Sequence, residues 1–117
     1  MSGRGQRVPV LSRRLTLEEP VQVADGAGGY TTQWVALGQL WAEVRAGTGR
    51  ERASEFLTVA RVPVRITLRA APEGSPQRPR PEQRFRDGAR SFAILAVSEA
   101  DAGARYLTCF AQEEVVQ

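Results

Sequence analysis

Between Arg61 and Arg69 the chain reads Arg-Val-Pro-Val-Arg-Ile-Thr-Leu-Arg, so Val62, Val64, Ile66 and Leu68 alternate with Arg61, Pro63, Arg65, Thr67 and Arg69. Successive side chains of an extended strand point to opposite faces, and no helix gathers residues at this spacing. The segment is predicted to be a strand with one dry face and one face carrying a row of arginines. Upstream, Leu40 to Ala46 (LWAEVRA) alternates too, with Trp41, Glu43 and Arg45 facing one way and Leu40, Ala42 and Val44 the other. Between the two lies the insert Gly47 to Ala60 (GTGRERASEFLTVA). Thr48 and Glu51 have capping-box spacing, and Ala53, Phe56, Leu57 and Ala60 follow i, i+3, i+4, i+7. A short helix and a long hairpin arm both fit that pattern, and a lone helix of this length is marginal in water.

The remaining segments repeat the theme. Leu11 to Glu18 alternates Leu11, Arg13, Leu15 and Leu17 against polar residues, with Arg13 as the exception, and Pro20 is predicted to end or edge the strand. Asp25-Gly26-Ala27-Gly28-Gly29 is a turn signal, Tyr30 to Val35 is extended in composition, and Gly38 is expected to separate it from Leu40 to Arg45. Ala70 to Gln83 holds four prolines and two arginines and reads as a loop of extended, poorly hydrogen-bonded chain. Asp87-Gly88 marks a tight hairpin, and Ser91 to Val97 and Tyr106 to Ala111 are strands joined by a polar turn over Glu99 to Arg105. Both strands are apolar on both faces, which predicts the centre of a sheet. The fold class expected is all-β: a small antiparallel β-barrel or sandwich of about five or six strands, with a long insert between two central strands and at most one short helix. The organisation expected is a flexible N-terminal arm over 1–10 and a single domain over 11–117, with the insert at 46–60 and the Pro/Arg-rich loop at 70–83.

The net charge of +3 comes from sixteen basic residues that are all arginine. Arginine forks onto phosphates and carboxylates, which suits nucleic-acid or protein interfaces, whereas GC-rich coding alone would also empty a chain of lysine. Residues 1–15 carry four arginines and no acid, and residues 91–117 carry one arginine against four acids. Such a chain can assemble with copies and neighbours through complementary patches, although scattered solvated charge is the plainer account.

Catalytic chemistry finds little support. Histidine is absent, so the commonest general base and metal ligand is missing, and the single Cys109 sits in an apolar strand with no base to activate it. A lone cysteine forms no internal disulfide and points to a reducing compartment. The paired carboxylates Glu18/Glu19 and Glu113/Glu114 are sequence neighbours and diverge when extended. Gly47-Thr48-Gly49 is a turn or helix lead-in more simply than an anion nest, and no lysine follows it as in a P-loop. The expectation is no enzyme, no cofactor and no metal site. Trp34 and Trp41 read as core or subunit-interface anchors, with base stacking as the sharper alternative. No apolar run approaches the roughly 20 residues of a membrane span and the N-terminus lacks a signal-peptide core, so a cytoplasmically made protein with no membrane partner is expected. The candidate functional residues are the arginines: Arg45, Arg50, Arg52 and Arg61 bracket the insert, and Arg78 and Arg80 sit in the Pro-rich loop. Contact with a nucleic-acid backbone needs only cations within reach.

The order of these features resembles the head-tail joining proteins of tailed bacteriophages, the head-closure or stopper subunits between portal and tail. The residues that carry the likeness are LSRRLTLEEP, DGAGGYTTQW, LWAEVRAGTGRE, VRITLR, RFRDGARSFAIL and YLTCFAQEE, spread over residues 11–114. An arginine-only composition also suits a prophage-like element or gene transfer agent. The resemblance implies a small β-barrel in a homo-oligomeric ring of six or twelve copies around double-stranded DNA. It further implies a portal or adaptor ring on the head side, a tail terminator or tail tube on the tail side, and residence in the virion neck. By the same resemblance the insert corresponds to a channel loop that helps retain packaged DNA. Arg45, Arg50, Arg52 and Arg61 would then face DNA, and Ala53, Phe56 and Leu57 would pack between subunits or plug the channel. The segment Ala70 to Gln83 is longer and more basic than the family pattern, and Arg78 and Arg80 there are expected to contact a neighbouring ring. The alternative expectation is a free nucleic-acid-binding β-barrel of the OB or SH3-like type.

Overall fold

The computed structural model describes residues 7–47 and 59–116. Six strands follow in order: β1 (Arg13–Ala24), β2 (Tyr30–Ala46), β3 (Val59–Arg69), β4 (Arg84–Asp87), β5 (Arg90–Glu99) and β6 (Tyr106–Val116). All pair antiparallel and close into a barrel in the order β1-β2-β3-β6-β5-β4. The all-β barrel expected from the alternation is what the chain forms, and no helix occurs among the described residues. The helical pattern from Thr48 through Ala53, Phe56, Leu57 and Ala60 lies outside them except for Ala60, which belongs to strand β3 and not to a helix.

A barrel of six strands is narrow, so side chains fill it. Leu15, Leu17, Ala42, Val64, Ile66, Leu68, Phe85, Phe92, Ile94, Leu107, Cys109 and Ala111 form the core. Phe85 and Phe92 face each other across the β4–β5 ladder and are fully buried, each contributing about 2–3 kcal/mol from apolar area removed from water. The inward set on β3 is Val64, Ile66 and Leu68; Val62, expected on the same dry face, lies beyond the core and is exposed.

Gly38 does not break its strand, and Pro20 edges its strand without ending it. Pro20 lies within β1, and Gly38 lies within β2. Pro20 pairs with Trp34 past Glu18, the last β1 residue that β4 reaches. A missing N–H is tolerable there because no strand among the described residues pairs with that edge of β1 beyond Glu18. Gly38 sits at a bulge: Leu17 pairs with Gly38 and Glu18 with Ala36, leaving Leu37 as the extra residue. Its φ of +151° is a conformation that side chains rarely adopt. A second irregularity falls between Ile94 and Ala96 on β5. Bulges bend strands and increase twist, which a small closed barrel requires.

Arg13, the inward exception on β1, is explained at one end of the barrel. It meets Asp87 at 2.7 Å, and beside it Arg90 forks onto Glu113 at 2.7 and 2.9 Å. Alternating charge thus caps the end where Ala46 leaves β2 and Val59 enters β3. Segment 70–83 crosses the opposite end. Contrary to the expectation of poorly bonded chain, it folds through turns: Arg78 Nη1 donates to the Ala71 carbonyl at 3.0 Å, and Arg80 N donates to Gln83 Oε1 at 2.8 Å. Pro79 and Gln83 are buried, and the Gln83 carbonyl accepts from Ile94 N at 3.0 Å. The double-sided apolarity of β5 and β6 does not mark a sheet centre, since a closed barrel has none. Their outward residues Leu95 and Phe110 are solvent-exposed.

Candidate functional site

The strands of the barrel outrun it in both directions. β4 pairs with β1 only over Thr16–Glu18, and β3 pairs with β2 only over Ala42–Ala46. The rest of β1 and β2, from Glu19 to Val35, is therefore a two-stranded hairpin projecting from one end. Its tip is held by Asp25, whose Oδ1 accepts from Ala27 N at 2.8 Å and Gly29 N at 3.0 Å, and these bonds hold the carboxyl below its ordinary pKa. From the other end β3 and β6 continue as a ribbon to Val59 and Val116, leading into the insert.

An outward cluster that the sequence did not reveal fixes the root of the hairpin. Arg84 Nε donates to Glu18 Oε1 at 2.7 Å, and the guanidinium stacks 4.0 Å from the Trp34 ring centroid. Both ion-pair partners are largely buried, which strengthens the bond relative to a surface pair. Trp34 is therefore not in the core, one of the two places expected for it: it is half-buried on the outward side, where it carries the Arg84 stack. Trp41 is 53% exposed, and Arg14 sits 5.8 Å from its ring. It keeps the face that alternation assigned it, with Glu43 and Arg45, and not a place in the core. Arg7 forks onto Glu43 at 2.7 and 3.2 Å, and Val10 N donates to the same carboxylate, binding residues 7–10 to the outside of β2.

The arginine row of β3 is present as expected. Arg65 lies 5.4 Å from the Phe110 ring, Arg69 5.8 Å from Tyr106, and Arg61 3.6 Å from Glu114. Arg45 pairs across the ladder with Arg65, bringing Arg45, Arg61 and Arg65 onto one outward surface at the root of the insert. Like charges opposed in this way repel, so the Arg45–Arg65 pairing does not itself stabilise the fold. Arg50, Arg52, Ala53, Phe56 and Leu57 lie outside the described residues. Arg78 and Arg80 are at the opposite end; Arg78 is half-buried, and exposed Arg80 reaches Glu19 at 3.4 Å.

Cys109 is fully buried, and burial pushes its thiol up to about 12, the Arg78 charge opposing only in part. A thiol so protonated at neutral pH is a poor nucleophile. No cluster of three or more His, Cys, Asp or Glu with metal-binding geometry occurs among the described residues.

The model of the phage head completion protein family matches residues 7–114. The chain belongs to that family. A chain in the virion of a native gene transfer agent particle is 62% identical, with 94% of this chain and 100% of that one covered and a TM-score of 0.81. Protein SF1141 from Shigella flexneri 2a shares the fold at 22% identity and a TM-score of 0.62, over 92% of this chain and 96% of that one. No curated protein matches. The head-tail joining resemblance and the expected virion location are borne out, and this head completion protein is a structural component of the head-tail region of a phage-like particle.

Proposed function

We propose that the chain is a ring subunit in the neck of such a particle, stacked between a portal or adaptor ring and the tail, with its insert turned toward the DNA channel. The observation that carries this reading is the pair of projections leaving a closed barrel at opposite ends, the β1–β2 hairpin at one and the β3–β6 ribbon with the insert at the other. A rigid body with contacts at both ends suits a subunit that joins two assemblies. In this reading Arg45 and Arg61 stand at the channel side with Arg50 and Arg52 beyond them, and contacts to DNA are phosphate contacts that carry no sequence information. Ala53, Phe56 and Leu57 pack between neighbouring inserts, and Arg80 meets an adjacent ring while Arg78 holds its own loop in place.

The test is removal. Particles assembled without this chain should lose packaged DNA and lack tails, and particles that keep both would refute the proposal. The second reading, a free nucleic-acid-binding barrel, draws on the Arg65–Phe110 and Arg69–Tyr106 pairs, which place cations and rings on one outward face. A steep salt-dependent affinity of the isolated monomer for DNA would favour it. A ring subunit binds DNA weakly until many copies line one channel.

A further inference from the structure

The two free edges of the β1–β2 hairpin are unlike. Beyond Glu18, the β1 edge carries Glu19 and Pro20, and segment 80–83 lies against it, Arg80 reaching Glu19 and both elements lining one hollow. Charge, proline and a covering loop are the devices by which proteins prevent strand addition. Among the described residues the β2 edge has neither charge nor proline, and segment 70–77 approaches it only at Leu37 to Trp41, across a groove. From Tyr30 to Trp41 it runs twelve residues without a charge or a proline, and its partner β3 begins to pair only at Ala42.

Where β2 and β3 separate, an apolar groove of about 430 Å³ opens. Leu37 to Trp41 form one wall, Leu68 to Ala71 part of the other, and Leu17 lies between them. A strand added to the β2 edge would place alternate side chains into this groove, with main-chain hydrogen bonds giving affinity and the groove giving selectivity. Arg69, which lies 5.8 Å from the Tyr106 ring, is the single charged residue among the described residues that line the groove, and no carboxylate lines it with Arg69.

We propose that the Tyr30–Trp41 edge of β2 receives an extended segment from a different protein of the particle, apolar at alternate positions and bearing a carboxylate for Arg69. The inference rests on the neck-subunit reading and names how that subunit holds a neighbour. A second copy of this chain is a poorer occupant. Its matching β2 edge, Tyr30 to Trp41, has no carboxylate to offer Arg69, its described N-terminal residues are basic and bound to Glu43, and its β6 is already paired along β3.

The test places the photo-crosslinking residue p-benzoylphenylalanine at Gln39, and in a parallel variant at Gln77 on the opposite wall, in assembled particles. Irradiation should join this chain to another particle protein within one extended, alternately apolar segment. Arg69→Glu should reduce that adduct at least about tenfold, the loss expected when one partner of a charge pair is reversed. An adduct only between copies of this chain, or no adduct from either position in particles that contain the chain, overturns the edge proposal and leaves the neck-subunit reading standing. Absence of the chain from purified necks overturns both.

Discussion

The barrel and the hairpin that projects from it are made from the same two strands, yet they obey different rules. Within the barrel, Leu15 and Leu17 of β1 and Ala42 of β2 are completely or almost completely buried. A few residues along the same strands, Val21, Tyr30 and Val35 lie open to solvent. An isolated two-stranded hairpin is marginal in water, so this one borrows its stability from the barrel through the Glu18–Arg84–Trp34 cluster at its root. The barrel carries the folding free energy, and the hairpin beyond its root adds no residue to the core.

Truncating the barrel should have the largest effect. Phe92→Ala removes a fully buried ring opposite Phe85 and should cost about 3–5 kcal/mol in urea unfolding of the isolated chain. A loss below 1 kcal/mol would mean that the barrel is not the cooperative unit. Next comes the joint between the two regions. Arg84→Met removes the Glu18 ion pair and the stack on Trp34, with an expected loss of about 2 kcal/mol. Amide hydrogen exchange at Thr31 to Trp34 should accelerate more than exchange at Ile66 or Leu107. Equal acceleration would show hairpin and barrel opening as one piece and erase the distinction.

A smaller effect is expected at the charged end of the barrel. The hydrogen bonds from Arg90 hold the Glu113 carboxyl below its ordinary value of 4.5, with burial opposing and the Arg90 and Arg13 charges assisting. A carboxyl whose folded pKa is depressed contributes stability above its unfolded pKa and loses it as pH falls through the folded value. Wild type should therefore lose stability on acidification from about pH 5 to pH 3 more steeply than Glu113→Gln, and the two should converge at the acid end. Because Arg90 is half-exposed, screening keeps the difference modest, and unfolding midpoints measured across this pH range would resolve it.

What the sequence made legible follows from the range of the forces involved. The β3 alternation and the Asp87-Gly88 turn are set by neighbours one to four residues away, and both appear in the structure, except that Val62 lies beyond the core and is exposed. Gly38 reads as a break because local chemistry marks it as a breaker, and Pro20 edges its strand as its missing N–H predicts but does not end it. Only the topology, a β1 edge that no described strand pairs and a bulge that closes the barrel, shows why each continues a strand. Trp41 set two local signals against each other: its ring argued for burial and its register with Glu43 and Arg45 for the surface, and register prevailed. Arg13 looked like an error on an apolar face until Asp87, 74 residues away, supplied its partner. The Arg84–Trp34 stack joins residues with no sequence pattern between them, so no periodicity could have found it. Of the candidate site, the sequence identified the arginine row, while the unguarded edge of β2 required knowing where β3 stops pairing.

The hairpin tip should show the smallest effect on the isolated chain and a clear one in the particle. Tyr30 is 71% exposed, its partner Ala24 is also exposed, and no core residue lies on the hairpin between Glu19 and Val35. Tyr30→Ala should shift the unfolding free energy of the monomer by no more than about 0.5 kcal/mol, as substitutions at open surface sites do. A tyrosine held out on a stable ribbon buries a large area on contact at low entropic cost, and such residues dominate the energetics of interfaces. In assembled particles the same substitution should lower the fraction with tails attached, counted by electron microscopy. If Tyr30→Ala leaves both stability and tailing unchanged while Phe92→Ala abolishes both, the projecting hairpin contributes nothing to assembly and the barrel alone does the joining.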